Sequence, residues 1–224
     1  MAIAGTAVVL AAVGLAVTGS HWFHVRSIDV AGGDHLSRGE IVRLSGITKH
    51  DNAIWLDEST AEARLTENPW VASADVRVDL PWTVTITVTE RSPIAVLERG
   101  TSDVLVAGDG TLLGPAQGPA LPLIEAPPSW VGSVPSPPVA GVARALAALD
   151  PNVRDMVRRV DTSSPSGLEL FLSDGLRISY GSARAFADKA IAIADVLAWT
   201  QTTGEKIRLL DVSAPSAPAV APVA

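Results

Sequence analysis

Two stretches of strict alternation stand back to back in this sequence. Val76, Val78 and Leu80 alternate with Asp75, Arg77 and Asp79; after Pro81-Trp82, Val84, Ile86 and Val88 alternate with Thr83, Thr85, Thr87 and Thr89. A period of two puts each apolar set on one face of a strand, and a proline-containing turn joins the runs as an antiparallel hairpin. The face made by Val76, Val78, Leu80, Val84, Ile86 and Val88 therefore needs a covering layer, and the preceding residues supply one. Ser37-Arg38-Gly39-Glu40 has the capping-box spacing in front of Ile41, Val42 and Leu44, which predicts a short helix that Gly46 ends. A second helix is predicted over 58–67, behind Asp57 and stopped by Pro69, with Ala61 and Leu65 one turn apart. Residues 23–30 read as a strand whose apolar parity changes between Val25 and Ile28, as a bulge or a late entry into the sheet would produce. The unit is β-α-α-β-β, a sheet covered on one side.

Upstream of it, the first 25 residues contain no Asp, Glu, Lys or Arg. As a helix, residues 1–23 would reach roughly 34 Å, against a hydrocarbon core of about 30 Å. Trp22 and Phe23 would then lie in an interfacial aromatic belt. A membrane anchor that leaves the rest of the chain outside the cytoplasm is expected; a cleaved signal peptide is the rival. The basic residues that ordinarily precede such a span are not in this chain, so a longer N-terminus is expected.

After Ser92 the texture changes. Strands are predicted at 94–98, 104–107, 121–124, 157–161, 168–172 and 176–180, and a helix at 139–149. Residues 115–138 hold 8 of the 16 prolines and read as extended and irregular, although Leu121, Leu123, Ile124 and Trp130 are apolar enough to pack. In the helix predicted over 182–199, Phe186, Ala190, Ile193 and Leu197 share one face. Ile207 and Leu209 then alternate with Lys206 and Arg208 in a last strand, and residues 213–224 are aperiodic Ala, Pro, Val and Ser, read as a flexible tail. The fold class is α+β.

Several chemistries are excluded by residue type. Lys and Arg number 17 against 24 Asp and Glu, no block of basic residues appears, and a nucleic-acid surface is not expected. Without cysteine there is no disulfide framework, thiolate zinc site or cysteine nucleophile. The histidines, at 21, 24, 35 and 50, have no zinc-type spacing and no G-x-S-x-G or S-x-x-K partner context. Asp57-Glu58 read as charges at a helix N-terminus, and Gly108-Asp109-Gly110 as a turn rather than a phosphate loop. Trp55, Trp70 and Trp82 read as core or surface residues, and Arg154, Arg158 and Arg159 as a solvated helix face. No cofactor, metal, small-molecule substrate or catalytic residue is expected.

The runs FHVRSIDVAGGDHLSRGEIVRLSGI and NPWVASADVRVDLPWTVTITVTERSPIAVL resemble the FtsQ-type POTRA domain of bacterial division proteins. VLVAGDGTLLG, GLELFLSDGLRISYG and KIRLLDVSAPSAPAV resemble the β domain of the same FtsQ/DivIB family. The resemblance covers roughly residues 23–218 and implies an order: anchor at 1–22, POTRA domain at 23–91, β domain at 92–212 and tail at 213–224. It also implies a non-enzymatic, single-pass scaffold of the cytoplasmic membrane at the division septum, which binds FtsB- and FtsL-like coiled-coil proteins and links early division proteins to the septal synthase. A POTRA-containing chaperone and a secreted cell-wall enzyme are the alternative classes. The partner surface is expected on the last strand, at Lys206, Ile207, Arg208, Leu209, Leu210, Asp211 and Val212. With a tail that cannot pair, that strand would lie at a sheet edge and take an acidic partner strand by β-augmentation.

Overall fold

The computed structural model describes residues 21–99, 102–117, 120–125 and 137–223. The expected anchor at 1–22 lies outside the described residues except for its last two, as does Trp130. No helix among the described residues is long and apolar enough to cross a membrane. The chain divides after Arg91 into two compact units.

In the first unit, β1 (Ser27–Ala31), α1 (Arg38–Ser45), α2 (Glu58–Thr66), β2 (Val71–Asp79) and β3 (Thr83–Glu90) follow one another. The sheet order is β1-β3-β2, with β1 parallel and β2 antiparallel to β3. Ser37 and Glu40 close a capping box on α1, and Gly46 ends that helix in the left-handed region at φ 72°. Asp57 caps α2 by accepting from the Ser59 and Thr60 hydroxyls and the Thr60 amide, which together lower its carboxyl to about 2. Val76, Val84, Ile86 and Val88 are buried against Ile41, Ala61 and Leu65 from the two helices. Chain entry into the sheet is late: β1 starts at Ser27, and before it the Arg26 amide donates to Trp82 O at 2.8 Å.

Leu80 departs from expectation, being exposed rather than buried. The β2–β3 ladder closes at Asp79↔Thr83, so Leu80 falls in the turn and has no face of the sheet to join. Glu90 does more than end β3. Its carboxylate accepts from the amides of Asp34, His35 and Leu36 at 3.1, 2.7 and 2.7 Å, and so fixes the turn between β1 and α1.

The second unit is one sheet with helices packed into its core. Its strands are β4 (Pro93–Leu97), β5 (Val104–Ala107), β6 (Leu112–Pro115), β7 (Leu123–Glu125), β8 (Val157–Asp161), β9 (Leu168–Leu172), β10 (Arg177–Gly181), β11 (Ile207–Asp211) and β12 (Ala219–Pro222). They pair in the order β12-β11-β10-β9-β8-β7-β4-β5-β6. The helices are α3 (Pro137–Ala148), α4 (Pro151–Met156) and α5 (Phe186–Thr203). Val139, Val142, Ala143 and Leu146 of α3 and Ile193 of α5 share a core with Val160, Leu170, Ile178 and Leu210. Arg159 belongs to β8, not to a solvated helix face: it pairs with Glu125 at 2.8 Å and lies over the Phe171 ring.

One cation sits inside this core. Lys189 of α5 is buried, and its Nζ donates to Tyr180 O at 2.6 Å and Ser182 O at 2.7 Å. Burial lowers its pKa, and the charge of Asp211 opposes that shift. The same bonds explain why α5 begins at Phe186 and not at Ser182: the Ser182 carbonyl is turned toward Lys189, and Ala185 takes a left-handed conformation at φ 50°. The neighbouring Tyr180 hydroxyl is buried with no partner among the described residues, and burial pushes its pKa up to about 12.

Two comparisons of paired variants test these cores by thermal unfolding. Ile86→Asp should destabilise by roughly 3–5 kcal/mol through an unpaired buried carboxylate, whereas Thr87→Asp, exposed on the same strand, should stay within about 0.5 kcal/mol. Tyr180→Phe should cost less than about 1 kcal/mol or stabilise, because the lost hydroxyl makes no bond among the described residues, while Lys189→Ala should cost about 2–4 kcal/mol through a cavity and two orphaned carbonyls.

Candidate partner interface

The site expected from sequence is the last strand of the second domain. The structure places Ile207–Asp211 on β11, with Lys206 just before it and Val212 just after. All seven residues are brought together, but not at an edge. On one side β11 is parallel to β10, with Arg177↔Leu209, Ile178↔Leu210 and Ser179↔Asp211 in register. On the other side it carries β12, antiparallel, with Ile207↔Pro222, Leu209↔Ala221, Leu210↔Val220 and Asp211↔Ala219.

The reading of 213–224 as a flexible tail that cannot pair is therefore corrected. The tail reverses direction at Ser213–Pro218, where the Ser213 amide donates to Asp211 Oδ1 at 2.8 Å and the Ala217 amide to Ala214 O at 3.0 Å. That turn returns four residues alongside β11, and a proline at an outer strand does not prevent the pairing. The Val223 amide donates inward to Lys206 O at 2.9 Å. By the alternation of an antiparallel ladder, Ala221 and Ala219 also face inward, while Val220 and Pro222 face the open edge. Pro222 has no N–H to miss there.

The pattern of side chains on β11 is also not the simple alternation expected. A register shift between Ile207 and Leu209 interrupts the ladder to β12. Leu210 and Val212 are fully buried and Ile207 packs against the same core, whereas Leu209 is only half-buried. The bulge is what lets Ile207 and Leu210, three residues apart, both reach the core. Lys206 and Arg208 are exposed, and neither makes an ion pair among the described residues.

The candidate edge thus consists of β11, with the cations of Lys206 and Arg208 at its start and the carboxylate of Asp211 at its end, and a thin outer strand, β12, where Val220 and, just past the strand, Val223 are exposed. Sequence reasoning missed Val220 and Pro222. The available signal was the short apolar run Ala219-Val220-Ala221 following a turn rich in Ser and Pro. Of the histidines, His35 stacks on Trp70 with centroids 3.5 Å apart.

Two family descriptions match the chain: the FtsQ-type POTRA domain over residues 23–91, and the C-terminal region of cell division protein FtsQ/DivIB over residues 95–212. A cell division protein FtsQ of Corynebacterium glutamicum is 30% identical over 202 residues, covering 87% of this chain and 88% of that one. The FtsQ of Streptomyces coelicolor is 27% identical over 212 residues, covering 90% of this chain and 79% of that one. Among solved structures, the extracytoplasmic domain of DivIB from Geobacillus stearothermophilus matches with 22% identity and a TM-score of 0.36, over 46% of this chain and 87% of that one.

The geometry of β12 has a direct readout in amide hydrogen exchange. The Val220 amide, facing outward, should exchange at close to the rate of an unstructured peptide, and those of Ala221 and Val223, facing β11, should be protected. Equal protection of Val220 and Ala221 would mean that the ladder has the opposite phase.

Proposed function

The chain belongs to the FtsQ/DivIB family of bacterial cell division proteins, and from that premise we propose that it is a non-enzymatic scaffold of the division septum. In this reading residues 1–22 hold it in the cytoplasmic membrane as a single pass. The POTRA domain at 23–91 and the β domain at 92–212 stand outside, bind FtsB- and FtsL-like proteins, and connect early division proteins to septal peptidoglycan synthesis.

The observation that carries the reading is the layered edge of the β domain. An acidic segment of the partner pairs with β11 along Lys206, Ile207, Arg208, Leu209, Leu210, Asp211 and Val212, in the place that β12 fills in the free protein. Two features favour replacement of β12 over addition to it. Facing outward, β12 offers one complete N–H and C=O pair, at Val220, because Pro222 brings only a carbonyl. It is also four residues long and mostly exposed, so little apolar burial is lost when it leaves. The paired backbone supplies affinity, and the unpaired charges of Lys206 and Arg208 select an acidic partner.

Binding to an FtsB-like partner tests this, with circular dichroism as the folding control. Removal of residues 219–224 should raise affinity about tenfold or more, since a competing strand is gone. Arg208→Glu in the full chain should weaken binding, more at low salt than at high. Loss of binding on removal of 219–224 would show that the partner adds to β12 instead. Unchanged affinity in both variants would move the site off this edge. Depletion of the protein should leave cells filamentous; lost wall hydrolysis without filamentation would favour a cell-wall enzyme.

A further inference from the structure

Among the described residues, every large apolar side chain that the first unit leaves exposed lies near one end of its sheet. Trp22 is 67% exposed, Trp55 61%, Leu80 62% and Trp82 39%. Because β1 and β3 are parallel and begin together at Ser27↔Thr83, the start of β1 and the Leu80–Trp82 turn lie side by side. The Arg26 amide donates to Trp82 O at 2.8 Å, and its guanidinium lies over the Trp82 ring, 4.5 Å from the centroid. Trp55 stands three residues from Asn52, whose backbone bridges to His24.

Cations surround the same end. Arg26, Arg38 and Lys49 line an open cleft of about 410 Å³ together with Ile28 and Val42. Asp29 pairs with Arg38 at 3.4 Å. Asp51 and Asp79 bring carboxylates to this end as well, accepting from the Thr48 amide at 2.7 Å and the Thr85 hydroxyl at 2.9 Å, so the attraction to anionic lipid is local to Arg26 and Lys49. Exposed Leu and Trp with Arg and Lys beside them is the composition of a surface that rests in the headgroup layer, apolar groups toward the acyl boundary and cations at the phosphates.

We propose that this end of the POTRA unit is a second membrane contact: the Leu80-Pro81-Trp82 tip, with Trp22 and Trp55, enters the interfacial layer, and Arg26 and Lys49 meet the phosphates of anionic lipid. The proposal depends on residues 1–22 being a membrane anchor. Chain length then forces the geometry. Four steps along the chain take Trp22, the last anchor residue, to Arg26, so Arg26 is at most about 14 Å beyond the end of the span. The interfacial layer on each side is about 5–7 Å thick. Arg26 and the Trp82 beside it therefore lie in or next to that layer, where exposed indole is more favourable than in water. The contact would fix the orientation of the domain on the bilayer, which one point of attachment cannot do.

The chain contains no cysteine, so single spin labels can be placed cleanly. Labels at Leu80→Cys, Trp82→Cys, Ser73→Cys and Val13→Cys in the full chain are read in vesicles of phosphatidylglycerol and phosphatidylcholine, by collision with oxygen and with a water-soluble nickel complex. Ser73 is exposed toward the opposite end of β2 and serves as the aqueous reference. Labels at 80 and 82 should be several-fold less accessible to nickel than the label at 73, and the label at 13 should report hydrocarbon. Nickel access at 80 and 82 equal to that at 73, with 13 in hydrocarbon, overturns the proposal and spares the anchor. A label at 13 in water overturns both. Shielding of 80 and 82 only after a partner protein is added makes the tip a protein-docking surface, and the lipid contact falls.

Discussion

An open sheet ends in strands whose outer N–H and C=O groups have no strand to meet, and much of this molecule is arranged around that constraint. In the POTRA unit, β2 faces outward at Val76 and Val78. Both amides are taken by carboxylates of α2: Glu62 accepts from Val76 at 2.9 Å and Glu58 from Val78 at 2.7 Å. Arg91 donates to the carbonyls of Pro69 and Val71 at the start of the same strand. On β1, at the other side of the sheet, Arg38 donates to the Ile28 carbonyl. These charged residues stand where edge strands would otherwise invite indiscriminate pairing. The β domain treats its β12 edge differently, covering β11 with a strand of four residues that ends in proline. One unit covers its edges with side chains, and the other covers β11 with a piece of backbone.

Against that background it is clear which features were legible in the sequence. The β2–β3 hairpin was, because burial of one face imposes period two, and Val76, Val84, Ile86 and Val88 obey it. The capping box at Ser37 and Glu40 and the stop at Gly46 were legible because they depend on local chemistry alone. Leu80 was misplaced because alternation says nothing about where a ladder closes. Glu62 and Glu90 look like ordinary surface charges and Glu58 like a charge at a helix N-terminus, and the amide partners of Glu58, Glu62 and Glu90 lie 20, 14 and 54–56 residues away. Strand β12 escaped for a related reason: its pairing comes from a neighbour and a turn, and Ala-Val-Ala-Pro has neither alternation nor β-branched bulk enough to announce it. Lys189 was invisible because the helical face predicted for α5 was apolar, and a lysine there is affordable only with carbonyls waiting for it.

That lysine ties the candidate interface to the core. Helix α5 crosses from β10 to β11, and Lys189 fastens it to the end of β10 through the Tyr180 and Ser182 carbonyls. Between those residues Gly181 adopts φ 70°, and a Cβ there would come within 2.9 Å of the Ser213 side chain. Ser213 begins the turn that sends the chain back as β12. The close approach at Gly181 therefore links the clamp, the end of β11 and the start of the outer strand in one tightly packed corner. The opposite end of β12 has no comparable fixture: Val223 bonds to Lys206 O, but its side chain is exposed. The outer strand is held firmly where it starts and loosely where it finishes.

This asymmetry sets the terms on which a partner strand can compete. Four register pairs join β12 to β11. At about 1 kcal/mol net per backbone hydrogen bond, its hold amounts to a few kcal/mol, a factor of roughly 10–1000 in the apparent affinity of a competitor. A partner with only backbone to offer would exchange like for like and gain little. One that brings carboxylates to Lys206 and Arg208 and apolar side chains larger than alanine has a surplus that β12, uncharged across Ala219–Pro222, cannot match. Release would begin at Val223, where β12 is least fixed and the lysine of the pair is already exposed, and would proceed toward the Gly181 corner. An outer strand of this kind keeps the edge closed to chance partners and yields to one of the right charge, so in the proposed scaffold the weakness of β12 becomes a source of selectivity.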